Sequence, residues 1–335
     1  MRILHVIQEL GTGGAERIVL TLTRGAQEAG HEVAVAAGPG PLADELGAER
    51  FDFPFLRRKP WRVPQGALAV RKAVRAWRPD LLHAHNPGVA VATRLGSRLP
   101  GPVSVHGVPE ADWPAAVRVL RLSKMPAVAC GPGVGSALLE HGLQPIVTIP
   151  NAVGPAPPPG ERVAAVLSVG RLVEAKNHEL AIQAIAALPG VTLGVVGDGP
   201  RREALESFAT RTGVRGRVRF LGERRDARAL MGAADAVVLT SRAEGLPLVA
   251  LEALSSGTPL VATSVRGLRE LLTDGENALL VPPGDPDALA SALRRVLEDR
   301  ELAARLAGAG RSVPGAGSDD EMVSAFLALY AKLVA

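Results

Sequence analysis

The chain has 335 residues, of which 47% are hydrophobic, 21% charged and 3% aromatic, and it carries a formal net charge of +4. This length favours two domains over one, and this apolar content fills two cores, so overall disorder is excluded. The lone cysteine, Cys130, excludes an internal disulfide and suits a reducing compartment.

Met1 leads straight into an apolar run, so no signal peptide is expected. No apolar run reaches the roughly 18 residues of a membrane-spanning helix, and the setting is read as cytoplasmic. Strands are expected at 2–7, 32–37, 80–84, 102–105, 127–130 and 146–149, with helical patterns between them, such as 16–29 and 65–77. Strands alternating with helices imply parallel sheets built from βαβ units. The first strand runs into GTGGAER (11–17), a glycine-rich turn opening a helix. Backbone N–H groups and the helix dipole there suit a phosphate, with a plain tight turn as the other reading. A dinucleotide fingerprint fails in register, because Glu16 holds the third glycine position. His83 and His85 in HAHNP have the spacing of a metal pair, but no carboxylate or cysteine cluster accompanies them locally, so no metal is assigned. His106 at a strand end is either structural or a group able to bond a hydroxyl or shuttle a proton. Cys130 reads as an inert buried thiol.

The positive excess lies in the first half, much of it in Arg57, Arg58, Lys59, Arg62, Arg71, Lys72, Arg75 and Arg78. A solvated face, an acidic acceptor and an anionic membrane surface all remain open for the 57–78 stretch. Nucleic acid is not expected, because no aromatic residues interleave regularly with the charges.

Residues 151–163, NAVGPAPPPGERV, read as a stiff, proline-rich linker that does not pack. The expected boundaries are a first domain over 1–152, a linker over 153–162 and a second domain over 163–317. Strands are expected there at 164–169, 191–196, 217–221, 236–239, 259–262 and 278–281, and helices near 177–187, 200–211, 247–256 and 285–298. Arg171 and Lys176 follow the first of these strands. At the carboxyl edge of an open sheet, a planar fork and a point charge suit a diphosphate, with plain surface charge as the alternative. Asp198, in the glycine turn of 195–203, is a turn residue, a cap or a ligand. Asp285 and Asp287 around Pro286 read as helix capping rather than a metal motif. In the tail, 318–335, Ser318 and Glu321 match a capping box ahead of a final amphipathic helix.

The segment TSRAEGLPLVALEALSSGTPLVAT (240–263) places Glu244 in a turn and Glu252 inside the helix that follows, with Pro247 where the helix begins. One carboxylate beside a helix mouth and another about two turns further in form an anion cradle flanked by hydroxyl-binding groups. That combination suits a sugar nucleotide.

Taken in order, GTGGAER, HAHNP, VHG, PNAV, the Gly-Arg and Lys of 170–176, VVGDGP, FLG and the EGLPLVALEALSSGTPLVAT block resemble the family-four retaining glycosyltransferases of the GT-B fold across nearly the whole chain. The resemblance implies an α/β architecture of two Rossmann-like domains with parallel sheets facing across a deep cleft, the helix of 318–335 packing back on the first. It implies transfer of a hexosyl group from a nucleotide diphosphate sugar, UDP-sugars preferred, to a hydroxyl acceptor on a glycan, lipid-linked or natural-product molecule. No cofactor and no metal are implied. Glu244 would bond donor-sugar hydroxyls and Glu252 the ribose. Arg171 and Lys176 would grip the diphosphate, Gly13 and Gly14 would bring N–H groups to the phosphates, and His106 would contact the transferred sugar. Leu221, Gly222 and Glu223 would frame the base, and Gly245, Leu246, Pro247 and Leu248 would offer the phosphates a helix N-terminus. No unassigned carboxylate stands out as a nucleophile, so same-face attack is favoured. A nucleotide-sugar epimerase of the same fold and a non-catalytic sugar-nucleotide-binding subunit are the alternatives.

Overall fold

In the computed structural model, which describes residues 1–56, 59–108 and 110–335, the chain forms two compact units. The first comprises Met1–Asn151 and Asp319–Ala335, the second Ala152–Ser318. Arg57 and Arg58 lie outside the described residues.

The first unit runs β1 (Arg2–Glu9), α1 (Gly14–Glu28), β2 (Glu32–Gly38), β3 (Glu49–Asp52), α2 (Val63–Trp77), β4 (Leu81–His85), α3 (Pro87–Gly96), β5 (Val103–Val105), α4 (Trp113–Ser123), β6 (Ala127–Ala129), α5 (Pro132–Glu140) and β7 (Val147–Thr148). The second runs β8 (Val166–Val169), α6 (His178–Ala186), β9 (Leu193–Val196), α7 (Arg202–Arg211), β10 (Val218–Gly222), α8 (Ala227–Ala233), β11 (Ala236–Leu239), α9 (Leu248–Ser256), β12 (Leu260–Thr263), α10 (Arg266–Arg269), β13 (Leu279–Val281), α11 (Pro286–Glu298) and α12 (Arg300–Arg311). The last helix, α13 (Asp320–Val334), belongs to the first unit.

Each expected strand is present to within about two residues, and β3 is additional. Its sequence, ERFD, escapes an apolar search because β3 is the outermost strand and most of it is exposed. The sheets are parallel, in the orders β3-β2-β1-β4-β5-β6-β7 and β10-β9-β8-β11-β12-β13. Both orders reverse direction once, between β1 and β4 and between β8 and β11. At such a reversal the loops leaving two neighbouring strands diverge and open a crevice at the carboxyl ends, where ligands bind in open α/β sheets.

Helix α13 buries Met322, Phe326 and Tyr330, one helical face spaced by fours. It crosses α1 at Gly25, where an added Cβ would lie 2.6 Å from Val323 Cγ1, so only glycine admits this approach. Ser318 is not its N-cap. Asp319 holds that position and makes no side-chain cap; its carboxylate instead accepts from Arg24 of α1 at 2.7 Å, an anchor that outcompetes the local box. Asp285 does cap α11, accepting from the Ala288 N–H at 2.9 Å.

The proline-rich stretch differs from the expectation that it would not pack. Arg228 of α8 donates to the carbonyls of Gly154 (2.6 Å) and Pro155 (3.0 Å), and the Gly160 N–H donates to Ala229 O (2.8 Å). Prolines lack donors but keep carbonyls, and a guanidinium satisfies those carbonyls well.

Candidate active site

The carboxyl ends of β8, β9, β10 and β11 share one edge of the second sheet. The turns after β8 and β9 interlock: Gly170 N–H donates to Val196 O (2.9 Å), Leu172 N–H to Asp198 O (2.9 Å) and Arg201 N–H to Leu172 O (3.0 Å). Gly197 has a φ of +131° and its backbone packs against Gly170 O, which explains the glycine of VVGDGP. Gly197 N–H also donates to Gly222 O (2.7 Å), tying in the end of β10, where Gly222 has a φ of +68°. Leu221 and Gly222 are half-buried there and Glu223 is exposed.

Arg171 leaves the end of β8 exposed, and its guanidinium has no ion pair among the described residues. Lys176 sits in the short turn before α6. Glu244 leaves the end of β11, across the reversal. Lys176 Nζ donates to Glu244 Oε1 in a short contact, and Ser241 Oγ donates to the same oxygen at 2.5 Å. The Glu244 side chain is 10% exposed and Lys176 24%. A pair this sheltered is held by geometry: Thr240 Oγ1 donates to Lys176 O (3.0 Å), Arg242 N–H to Ala175 O (2.8 Å) and Thr263 Oγ1 to Ser241 O (2.6 Å). Both of these bonds to Oε1 leave Glu244 Oε2 available as an acceptor.

Pro247 is the N-cap of α9 rather than its first helical residue, and Leu246, Pro247 and Leu248 are buried beneath the turn. The α9 dipole therefore opens beside Glu244, while Glu252 lies inside the helix, 8% exposed. His178 opens α6 and is buried. Its Nε2–H donates to Arg171 O (3.2 Å) and Ser168 Oγ–H to its Nδ1 (2.8 Å), a tautomer set by the carbonyl. Burial pushes its pKa down to about 4, so it is neutral and serves as a strut beneath Arg171.

In the first unit, Gly13 caps α1 and Gly14 begins it. The Glu16 carboxylate folds back over Gly13, so an anion at this helix mouth would have to displace it. His106 follows β5. Its Nε2 pairs with His85 Nδ1 at 3.1 Å, and Cys130, buried and outside any disulfide, donates Sγ–H to its carbonyl at 3.1 Å. Burial pushes His106 down to about 4, against the Asn151 side chain, which raises it.

Sequence reasoning did not single out Ser241, Thr263, His178 or Gly267. Ser241 was within reach, three residues before Glu244. Gly267 was not: it backs the Glu244–Gly245 turn from α10, a contact no local pattern encodes.

Two family models match the chain, Glycosyltransferase Family 4 over residues 12–156 and Glycosyl transferases group 1 over 156–313. The lipopolysaccharide core biosynthesis glycosyltransferase LpsE of Rhizobium meliloti is 32% identical over 95% of this chain and 96% of its own length. LpsD of the same organism, with the same description, is 29% identical over 100% and 99%. Among solved structures, Anabaena HepE in complex with UDP-glucose superposes with a TM-score of 0.83 at 25% identity, covering 98% of this chain and 100% of that one. Two parallel Rossmann-like sheets, both halves matched and a near full-length relative place this chain among the family 4 glycosyltransferases of the GT-B fold.

Proposed function

We propose that this enzyme moves a hexosyl group from a nucleotide diphosphate sugar, UDP-sugars preferred, to a hydroxyl acceptor, with retention and without a divalent metal. The observation that carries this reading is the pairing of Lys176 with Glu244 at the β8/β11 reversal, with Arg171 exposed just after the end of β8. UDP is preferred because HepE is described with UDP-glucose. Donor binding is assigned to the second unit and acceptor binding to the first.

Breaking the anomeric C–O bond leaves negative charge on the departing diphosphate. Arg171, Lys176 and the mouth of α9, with Gly245 and Leu248, stabilise that charge as it develops. Preorganised cations do here what a metal ion does elsewhere. Glu244 Oε2 accepts from sugar hydroxyls, Glu252 from the ribose, and Leu221, Gly222 and Glu223 flank the base. The leaving phosphate takes the acceptor proton on the face it departs from, so retention needs no covalent sugar intermediate; a trapped glycosyl-enzyme adduct would refute this step.

Nucleotide sugars screened in chelator by thermal stabilisation and donor-only hydrolysis test the reading. A UDP-hexose at 100 times its Kd is expected to stabilise the fold by about 2.7 kcal/mol and to be slowly hydrolysed. No stabilisation by any nucleotide sugar, or activity lost in chelator and restored by metal, would overturn it.

A peripheral membrane contact is the second part of the proposal. Trp61 and Leu68 are 69% and 53% exposed on and before α2, with Lys59, Arg71, Lys72 and Arg75 exposed around them. No helix among the described residues is long and apolar enough to cross a membrane. Aromatic and aliphatic side chains ringed by cations suit an anionic lipid surface. The protein is expected to sediment with phosphatidylglycerol vesicles and to release in about 1 M salt, where screening shortens to about 3 Å. Equal sedimentation with phosphatidylcholine vesicles, or none with either, removes the membrane role.

A further inference from the structure

Arg171 is exposed, and its guanidinium makes no ion pair or hydrogen bond among the described residues. With no side-chain partner to aim it, its reach is set by its backbone. The turn that carries it is tied down on both sides, by Gly170 N–H to Val196 O and Leu172 N–H to Asp198 O, 2.9 Å each. Arg171 itself is held through its carbonyl, which accepts from two donors. One is Val173 N–H at 2.8 Å, which sits in the same turn and moves with it. The other is His178 Nε2–H at 3.2 Å, from the first residue of α6. Among the described residues, that second bond is the one that ties Arg171 to a different element.

The polarity of this contact is fixed at both ends. A carbonyl oxygen only accepts, so Nε2 carries the proton. Nδ1 of the neutral ring is then an acceptor, and Ser168 Oγ–H donates to it at 2.8 Å. Turning the ring over would lose both bonds. Ser168 and His178 are both buried, and Ser168 lies on β8, three residues before Arg171. Hydrogen bonds from Ser168 through His178 to Arg171 therefore close a loop around the turn, from strand to helix and back. Asn177, in the left-handed region at φ +49°, makes the sharp change of direction that starts α6 there. With both nitrogens engaged, His178 is no general base. Burial keeps its ring neutral, as the bond from Ser168 requires.

We propose that Ser168 and His178 are positioning residues for the leaving diphosphate. Ser168 holds the ring of His178, and His178 Nε2–H holds the carbonyl of Arg171, so that the guanidinium starts from one fixed backbone position. A long side chain on a fixed backbone samples fewer places than on a loose one, and a cation that meets developing charge gains from that. The purpose rests on the diphosphate role proposed above for Arg171; the bonds and the tautomer do not. Every residue of this line belongs to the second unit.

The test is a double-mutant cycle on kcat/KM for donor-only hydrolysis, using the nucleotide sugar that the thermal screen selects, UDP-glucose first. Circular dichroism and melting temperature check the fold of each variant. His178→Leu removes both bonds and is expected to lower kcat/KM about tenfold, the upper end of what one hydrogen bond is worth. His178→Gln keeps an N–H donor near the place of Nε2 and should restore most of the rate. Ser168→Ala leaves the ring one of its two anchors and should cost about threefold; this smaller change carries the test if His178→Leu does not fold. In an Arg171→Ala background either substitution should cost less than about twofold, because the group it positions is gone. An equal loss in both backgrounds overturns the proposal, since it marks a general effect on the fold. An unchanged rate in folded His178→Leu, with Arg171→Ala impaired, also overturns it. A wild-type rate from Arg171→Ala refutes instead the diphosphate role of Arg171, and the purpose of the line falls with it. ¹⁵N NMR of the histidine side chains at neutral pH, assigned against His178→Gln, should show Nε2–H on His178; Nδ1–H there overturns the proposal.

Discussion

Lys176→Ala is expected to lower kcat by about two to three orders of magnitude, the usual cost of removing one preorganised group aimed at developing negative charge. Two effects act together. Under the proposed function the departing diphosphate loses a cation, and in the structure Glu244, a carboxylate only 10% exposed, loses its partner. A buried charge left without its partner destabilises its surroundings, so the Glu244 turn should loosen as well. Lys176 is 24% exposed, which tempers this second effect, because water replaces part of the lost interaction. Lys176→Arg keeps the charge but brings a planar fork where a compact ammonium fits, and should recover only part of the rate. Steady-state kinetics with the preferred donor, alongside circular dichroism, measures both effects. Wild-type turnover from a folded Lys176→Ala protein would remove Lys176 from the site.

Gly267→Ala should be nearly as damaging, although Gly267 carries no functional group. A Cβ there would overlap Gly245 O and lie 2.6 Å from Glu244 O. Both are backbone atoms, so the loop carrying Glu244 must move rather than a flexible side chain. A displacement of about 1 Å at a positioned group costs on the order of a hundredfold in rate. Overpacking of this kind also destabilises by roughly 1–3 kcal/mol. Gly308→Ala is the matched control: it lies within α12, a Cβ there meets nothing within 4 Å, and alanine favours a helix over glycine by up to about 1 kcal/mol. The control should keep full kcat/KM and melt no lower than the unsubstituted protein, while Gly267→Ala should lose most kcat/KM. Unchanged kcat/KM in Gly267→Ala would mean that the Glu244 turn is not what positions the donor.

Much of the second unit was legible because its chemistry and its fold share short segments. The strand–turn–helix around 164–177 and the block of 240–263 each carry a strand end, a glycine or proline turn and a charged residue within a few positions. Parallel order then brings every strand's carboxyl end to one edge, so Arg171, Lys176 and Glu244 could be expected near one another. Their pairing could not. Lys176 and Glu244 are 68 residues apart, and the choice of one carboxylate oxygen shared with Ser241 depends on how two loops meet.

The first unit shows the opposite case. The spacing of His83 and His85 was visible, but His5 lies on another strand, and only the register of β1 with β4 brings the three together. The charged strand β3 was hidden for a related reason: an edge strand needs no apolar run. At the tail, the Ser318–Glu321 box is a sound local pattern that loses to a distant partner, Arg24.

By itself the sequence determined the alternation of strand and helix, the two-unit organisation and the positions at which charge meets the end of a strand. These follow from periodicity, turn chemistry and chain order, which are properties of neighbours along the chain. Tertiary structure alone decided that Glu244 shares one oxygen between Lys176 and Ser241, that Gly267 supports that turn, and that His5, His85 and His106 form one hydrogen-bonded chain. Each of these is a contact between segments far apart in sequence, fixed by strand register and close backbone packing, and no local pattern records it.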